Sequence, residues 1–148
     1  LLIKIPILLK ISPDLEADNL KYLCEKVLSS KIDGLIISNT TISRDSISTD
    51  TLEKGGLSGK PIFDISTKQL RMAYKYTNGK IPLIGVGGVD SAEKAYEKIK
   101  NGASLIQLYT GLVYNGPNLI KDINEDLSSL IERDGYSNIS EAVGAEVN

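Results

Sequence analysis

The stretch IPLIGVGGVDSAEKAYEKIKNGASLIQLYTG, residues 81–111, contains the pattern on which the fold prediction rests. Two short apolar runs, residues 83–86 and 105–108, enclose a segment, residues 92–99, whose apolar positions recur along one helix face. Continuous rather than alternating apolarity is typical of parallel strands that are covered on both faces. The stretch therefore predicts a strand, a helix and a second strand parallel to the first.

The same unit repeats on either side of this stretch. Apolar runs occur at residues 7–11 and 35–38, and amphipathic helix patterns begin near Leu20, Leu70 and Ile120. Because β-α-β connections are right-handed, consecutive units place their strands side by side in one sheet, with the helices outside. We expect four consecutive β-α units and one curved parallel sheet.

Helix boundaries are indicated by capping residues. Asp90 with Glu93 has the spacing of a helix-starting box. Gly79 and Gly102 stand where the preceding helix patterns should end, because glycine readily adopts the left-handed conformation that closes a helix.

The composition excludes several classes of function. The 148 residues include 17 basic and 19 acidic residues, one Cys and no His. Histidine-dependent nucleophiles, His-ligated zinc, disulfides and CxxC motifs are therefore excluded, and no metal site is predicted. The net charge of −2, without a basic block, gives no reason to expect nucleic acid as a partner. Cys24, on the apolar stripe of the first helix, is expected to be an inert core thiol.

The length and the first residues indicate a segment of a larger fold. A complete eight-stranded α/β barrel takes about 250 residues, and Leu rather than Met at position 1 fits a chain whose upstream part is absent. The apolar start, LLIKIPILLKI, contains Lys4, Pro6 and Lys10 and is shorter than the roughly 20 residues of a membrane helix. We expect a buried strand there and no membrane span.

Lys10 and the run SNTT at residues 38–41 are the first candidate ligand contacts. A lysine within an apolar strand is costly unless an anion compensates its charge, which favours a negatively charged ligand. The alternative is an edge side chain that reaches water. The polar run can hold a small polar ligand, but it can equally form a turn in which these side chains satisfy their own backbone.

Glycine-rich segments follow the later strands. Gly87 and Gly88 end the third apolar run, and Tyr109 and Thr110 close the fourth. The long polar segment of residues 42–63 adds further glycines, which suit a backbone close to a ligand. Open amides attract phosphate, and the loops after the last two strands of an α/β barrel often share a phosphate site. These residues predict such a site, the alternative being that the glycines serve only packing.

Five motifs resemble one known family. They are KISPDL at residues 10–15, SNTT at 38–41, GGLSGKP at 55–61, IPLIGVGGVDS at 81–91 and GASLIQLYTGLVYNGP at 102–117. In this order, and over nearly the whole chain, they look like class 2 dihydroorotate dehydrogenases, the quinone-dependent type. The resemblance implies an α/β fold of the TIM (β/α)8 barrel type. Residues 1–148 would form the carboxyl-terminal half of an FMN-binding barrel domain, about its last four β-α units.

The resemblance also implies roles for individual residues. Lys10 would contact the FMN ring, where its charge can stabilise the reduced flavin, and Ser38 would also bind FMN. Asn39 and Thr40 would bind dihydroorotate or orotate. The remaining FMN contacts would be Ser58, Gly59, Gly87, Gly88, Tyr109 and Thr110, the last two pairs around the phosphate.

The resemblance implies an activity for which this segment supplies only some of the required residues. Family members oxidise dihydroorotate to orotate in pyrimidine biosynthesis and pass the electrons to quinone. The serine base is expected upstream, so no catalytic residue is assigned in this chain, and the amino-terminal region that receives quinone is expected upstream as well. The resemblance implies a parent protein bound peripherally to the bacterial cytoplasmic membrane or the mitochondrial inner membrane.

Two alternatives remain open. One is another FMN- or phosphate-binding barrel enzyme, which would also use the paired glycine sites but gives no reason for Lys10 followed by SNT. The other is a non-catalytic half-barrel, in which residues 7–11 and 105–108 would be open edge strands.

Overall fold

The computed structural model describes residues 5–48 and 54–147. Its strands are β1 (Leu8–Ile11), β2 (Gly34–Ile37), β3 (Leu83–Val86) and β4 (Leu105–Gln107). Its helices are α1 (Ala17–Leu28), α2 (Phe63–Thr77), α3 (Ala92–Lys100), α4 (Thr110–Asn115), α5 (Leu119–Arg133) and α6 (Ile139–Ala142), with a 3-10 turn at Lys60–Ile62 before α2. Lys4 and residues 49–53 of the long polar segment lie outside the described residues.

The four strands form one parallel sheet in the order β1-β2-β3-β4. Leu35 of β2 pairs with Leu9 of β1 on one side and with Leu83 of β3 on the other, and Ile84 pairs with Leu105 of β4. Each pair of strands is joined by a helix, as right-handed crossovers require. The prediction of four β-α units in one parallel sheet is confirmed, with strand ends that differ by one residue.

The main core lies between the sheet and helices α1 and α2. Its fully buried members come from the sheet and from both helices and include Leu20, Cys24, Leu35, Ile37, Leu70, Ala73 and Leu83. Cys24 is a core residue as predicted, and burial raises the pKa of its thiol to about 11. A second cluster, Val89, Ala95, Leu119 and Ile123, packs α3 against α5.

The two outer strands depart from the expectation that both faces are covered. Leu35 and Leu83 of the inner strands are fully buried, whereas Leu105 of β4 is 62% exposed. Because β1 and β4 are the edges of the described sheet, their side chains have neighbouring strand side chains on one side only. Continuous apolarity predicted the strands correctly but not the burial of the edges.

Helix α3 begins one residue later than predicted. The N-cap is Ser91, whose Oγ accepts a hydrogen bond from the backbone N–H of Lys94 at 3.4 Å. The carboxylate of Asp90 is instead paired with the ammonium groups of Lys60 and Lys94. The predicted box of Asp90 with Glu93 is therefore wrong, because Ser91 caps the helix and the Asp90 carboxylate is occupied by ion pairs with Lys60 and Lys94.

Other helix boundaries agree more closely with the pattern. Gly79 and Gly102 follow the last residues of α2 and α3 with φ of +64° and +108°, which confirms both predicted ends. In α5 the buried stripe includes Leu119, whereas Ile120 is 50% exposed, so the predicted stripe is displaced at its start. Within residues 5–48 and 54–147, no helix is both long enough and apolar enough to cross a bilayer.

Candidate active site

The carboxyl ends of the four strands surround one cavity of about 330 Å³. Every site residue predicted from the sequence lines it, namely Lys10, Ser38, Asn39, Thr40, Ser58, Gly59, Gly87, Gly88, Tyr109 and Thr110. Parallel strands place their carboxyl ends at the same edge of a sheet, which is where ligands bind in α/β folds. The topology therefore brings together residues that are up to 100 positions apart in the sequence.

Lys10 supplies positive charge to this cavity. It is an exposed residue of β1, whereas its neighbour Ile11 is buried in the core. Among the described residues, no carboxylate forms an ion pair with the Lys10 ammonium, which leaves it available to an anionic ligand. Lys10 lines the cavity together with the other predicted residues. It is also exposed on an edge strand, so the alternative of a side chain that reaches water stays open beside the ligand-binding prediction.

The loop after β2 carries Ser38, Asn39 and Thr40 into the cavity. Its backbone is held on both sides, because the N–H of Ser38 donates to Val86 O at 3.1 Å and that of Asn39 donates to Ile11 O at 2.8 Å. The Ile37–Ser38 peptide bond is cis. Asn39 Oδ1 accepts a hydrogen bond from the N–H of Thr40 at 2.9 Å, so part of the turn interpretation also holds.

Asp14 holds this loop by hydrogen bonds, a role that was not predicted from the sequence. Its carboxylate accepts hydrogen bonds from the Thr41 hydroxyl, from the N–H of Ile42 at 3.1 Å and from the Ser12 hydroxyl at 3.2 Å. Partial burial raises the pKa of Asp14, but these hydrogen bonds outweigh it and hold that pKa below its ordinary value. The signal available in the sequence was an acidic residue just after the strand that contains Lys10.

Glycines at the strand ends form a backbone cradle, defined here as Gly59, Gly87 and Gly88. All three have positive φ, at +78°, +113° and +72°. A Cβ on Gly88 would lie 2.5 Å from Phe63 Cβ, and one on Gly59 would lie 2.9 Å from Thr110 Cγ2. Only glycine fits these positions, and the backbone beside the cavity is left uncovered by side chains.

The cradle opens into a second cavity of about 600 Å³, which the sequence did not indicate. The two cavities share Ser58, Gly59, Gly88 and Thr110. The Thr110 hydroxyl donates to Ser58 Oγ at 3.0 Å, which joins the polar loop to the end of β4.

Asp90 lies at the rim of the second cavity between two lysines. Its carboxylate is 3.1 Å from Lys60 Nζ and 2.9 Å from Lys94 Nζ. Burial raises the pKa of Asp90, but the hydrogen bonds and charges of Lys94 and Lys60 outweigh it and keep that pKa low. The carboxylate is thus ionised at neutral pH and holds the first turn of α3 to the residues before α2.

The arrangement suits a ligand that combines a negative group with a polar ring. The cavity contains an ammonium that forms no ion pair with the described residues, hydroxyl and amide side chains on one loop, and a cradle that any Cβ would obstruct. These are the elements that a flavin mononucleotide requires for its ring and its phosphate. The residues present therefore fit that cofactor.

Comparison with known proteins identifies the family. The sequence profile of the family described as dihydroorotate dehydrogenase matches residues 2–131. The chain is 54% identical over 144 residues to the mitochondrial dihydroorotate dehydrogenase (quinone) of Arabidopsis thaliana, covering 95% of this chain and 31% of that protein. It is 49% identical over 147 residues to dihydroorotate dehydrogenase (quinone) of Parvibaculum lavamentivorans, covering 98% of this chain and 42% of that protein.

Solved structures agree with the sequence matches. The chain superposes with a TM-score of 0.90 on the Eimeria tenella DHODH crystallised with ferulenol, at 35% identity over 95% of this chain and 38% of that one. With the ligand-free form of the same enzyme the TM-score is 0.92, at 34% identity over 97% and 40% of the two chains. The expected fold class, a part of a TIM-type barrel, is confirmed.

The chain spans between about a third and two fifths of the length of these relatives. The boundary of the predicted half-barrel domain, residues 1–148, stays a prediction. Profile, sequence and structure all agree over most of the chain, and by these matches the chain belongs to the dihydroorotate dehydrogenase family.

Proposed function

We propose that this chain supplies the flavin- and substrate-contacting part of a quinone-dependent dihydroorotate dehydrogenase. The reaction is the oxidation of dihydroorotate to orotate in the biosynthesis of UMP, with FMN as cofactor and quinone as electron acceptor. The observation that carries the proposal is the single cavity in which Lys10, the loop after β2 and the glycine cradle meet.

The residues divide into two groups by the chemistry that they offer. When bound, FMN supplies the hydride acceptor of the reaction. Lys10 holds a positive charge at the cavity and favours negative charge on the cofactor ring. The remaining FMN contacts are assigned to Ser38 and to Ser58, Gly59, Gly87, Gly88, Tyr109 and Thr110.

The loop after β2 is assigned to the substrate. The amide of Asn39 and the hydroxyl of Thr40 orient the polar ring of dihydroorotate, and both residues are exposed at the cavity. The backbone hydrogen bonds to β1 and β3 fix the position of this loop. We place the serine that removes the substrate proton outside these 148 residues, so the chain orients the substrate and contributes no general base.

Quinone and membrane contacts are also assigned outside the chain. We place the quinone site in a region amino-terminal to these residues and the whole protein on the bacterial cytoplasmic membrane or the mitochondrial inner membrane. The name of the Arabidopsis relative supports the quinone acceptor and a mitochondrial setting for that protein.

Flavin content and acceptor preference test the proposal. The protein that contains this chain should purify with flavin absorbance, release FMN on denaturation, and reduce a quinone analogue with dihydroorotate faster than fumarate or NAD. A protein without flavin would contradict the proposal. One that binds FMN but leaves dihydroorotate unchanged would favour the two alternatives, another FMN-binding barrel enzyme or the non-catalytic half-barrel.

A further inference from the structure

Lys98 of α3 is a buried lysine that forms no ion pair with an acidic residue of the described chain. Its side chain is fully buried, and its Nζ donates to Ser66 Oγ at 2.7 Å and to Thr67 Oγ1 at 2.9 Å. The same Nζ lies 4.8 Å from the centroid of the Phe63 ring. In the described parts of the chain no carboxylate forms an ion pair with it. Its partners are therefore two hydroxyls and an aromatic face from the first turns of α2.

Lys94, on the same helix, differs from Lys98 in having a carboxylate as its partner. Lys94 Nζ lies 5.3 Å from the centroid of the same ring, but it is paired with Asp90 at 2.9 Å. Burying an ammonium without a counter-charge is costly. Burial accordingly lowers the pKa of Lys98 to about 7, although the charges of Glu97 and Asp64 act in the opposite direction. An apolar side chain would fill the same volume at lower cost, so the stability of the fold does not account for a lysine here.

The Lys98 ammonium is linked to the glycine cradle through the hydroxyl of Ser66. Ser66 Oγ, which accepts the bond from Lys98, is 3.4 Å from Gly87 O and donates to Phe63 O at 2.9 Å. A Cβ on Gly87 would lie 2.9 Å from Ser66 Oγ. The cradle therefore rests on the same turn of α2 that holds the Lys98 ammonium.

The path of the lysine stem also depends on a glycine. A Cβ on Gly85 of β3 would lie 3.1 Å from Lys98 Cδ. The aliphatic part of the Lys98 side chain thus packs against the carboxyl end of β3, which Gly87 and Gly88 of the cradle follow. The ammonium is separated from the cradle backbone by a single hydroxyl group.

We propose that Lys98 is a positioning residue for the phosphate of the flavin, acting through Ser66 on the Gly87–Gly88 turn and supplying a second positive charge from behind the cradle. A bound phosphate would provide the counter-charge that no ion-paired carboxylate of the described residues provides, and would favour the protonated form of Lys98. This role rests on the proposed function, since it takes FMN to be the ligand.

The size of the effect follows from Coulomb's law. At an effective dielectric constant of about 20, a unit charge about 12 Å from an anion changes its binding by about 1.4 kcal/mol, which is about tenfold in affinity. We expect the effect to be specific to the phosphate, because the proposed function assigns the flavin ring to Lys10. Riboflavin, which has the same ring without the phosphate, is the matched probe.

The test compares the dissociation constants of FMN and riboflavin for the flavin-depleted protein that contains this chain, measured by flavin fluorescence. Lys98→Met removes the charge, and Lys98→Gln removes it while keeping an amide donor for Ser66 and Thr67. Both variants should weaken FMN binding about tenfold and leave riboflavin binding within about twofold. Lys100→Met is the control, because it removes a charge from the same helix where Lys100 pairs with Glu146.

Two results would overturn the proposal. If the Lys98 variants weaken the binding of FMN and riboflavin equally, Lys98 has only a structural role. If they leave the affinity for FMN unchanged, Lys98 has no role in flavin binding. Failure of the proposed function is distinguishable, because then the unaltered protein would bind neither flavin. Far-UV circular dichroism on Lys98→Gln checks that the comparison is made on folded protein.

Discussion

The carboxylate of Asp14 accepts a hydrogen bond from the hydroxyl of Thr41, which joins the loop after β1 to the loop after β2. Thr41 directly follows the two residues assigned to the substrate. The same carboxylate also accepts the N–H of Ile42 at 3.1 Å. The position of the substrate loop thus depends on an acidic residue that does not line the cavity itself.

Asp14→Ala should impair substrate binding more than flavin binding. Loss of hydrogen bonds to a charged acceptor costs about 1–3 kcal/mol, which corresponds to an increase of roughly 5-fold to 150-fold in the KM for dihydroorotate. The flavin content should stay near that of the unaltered protein. Steady-state kinetics and absorbance spectra measure both. Asp18→Ala, which removes an exposed carboxylate from the first turn of α1, should change neither.

Lys10→Met should slow reduction of the flavin by dihydroorotate. Removing a group aimed at developing negative charge typically costs about 100-fold or more in rate. Stopped-flow bleaching of the flavin absorbance measures the step directly. Lys21→Met removes an exposed charge from α1 and is the matched control. An unchanged bleaching rate in Lys10→Met would remove the role assigned to this lysine.

Gly88→Ala should destabilise the protein more than the same change at Gly135. Both glycines have positive φ, at +72° and +81°, so each substitution costs about 1 kcal/mol in backbone strain. A Cβ on Gly88 also meets Phe63 at 2.5 Å, whereas one on Gly135 meets nothing within 4 Å. The clash adds about 2 kcal/mol. Urea unfolding of the two variants should show this difference, and equal losses would mean that Phe63 gives way.

The stability of the flavin-free protein should rise with pH above about 7 because of Lys98. Its pKa is about 7 in the fold against 10.5 for an ordinary lysine. Between these values the unfolded chain binds more protons, so the free energy of unfolding increases by roughly 1 kcal/mol per pH unit. Lys98→Met should abolish this contribution.

Urea unfolding of both proteins at pH 6.5, 7.5 and 8.5 would measure the difference in slope. Near pH 8.5 the Cys24 thiol contributes with the opposite sign, since its pKa is about 11 in the fold against 9.0 for an ordinary thiol. Both proteins contain Cys24, so this contribution cancels in the difference between their slopes. Parallel pH profiles for the two proteins would contradict the low pKa of Lys98.

The strands, the helices and the set of cavity residues could be predicted because they depend on local features. Apolar runs and helical spacing are properties of neighbouring residues. Glycine-rich stretches indicate turns, because glycine readily adopts a positive φ. Parallel topology then brings the carboxyl ends of the strands together. For this reason Lys10, Gly88 and Thr110 could be placed at one site from the sequence and a family resemblance.

Helix capping shows where local features stop being sufficient. Asp90 and Ser91 are both good N-cap residues, and spacing alone favoured Asp90 with Glu93. The structure decides otherwise, because Lys60 comes within 3.1 Å of Asp90 from a distant part of the chain.

By itself the sequence determined the order of strands and helices, the residues at the carboxyl edge of the sheet and the family. Only the tertiary structure decided that Asp14 holds the substrate loop and that Lys98 is buried against Ser66 rather than exposed on a helix. The physical reason is that burial and ion pairing depend on which surfaces pack together. Lysines 94, 98 and 100 of one helix look alike in sequence, and their different environments arise from α2, the sheet and the residues that follow α5.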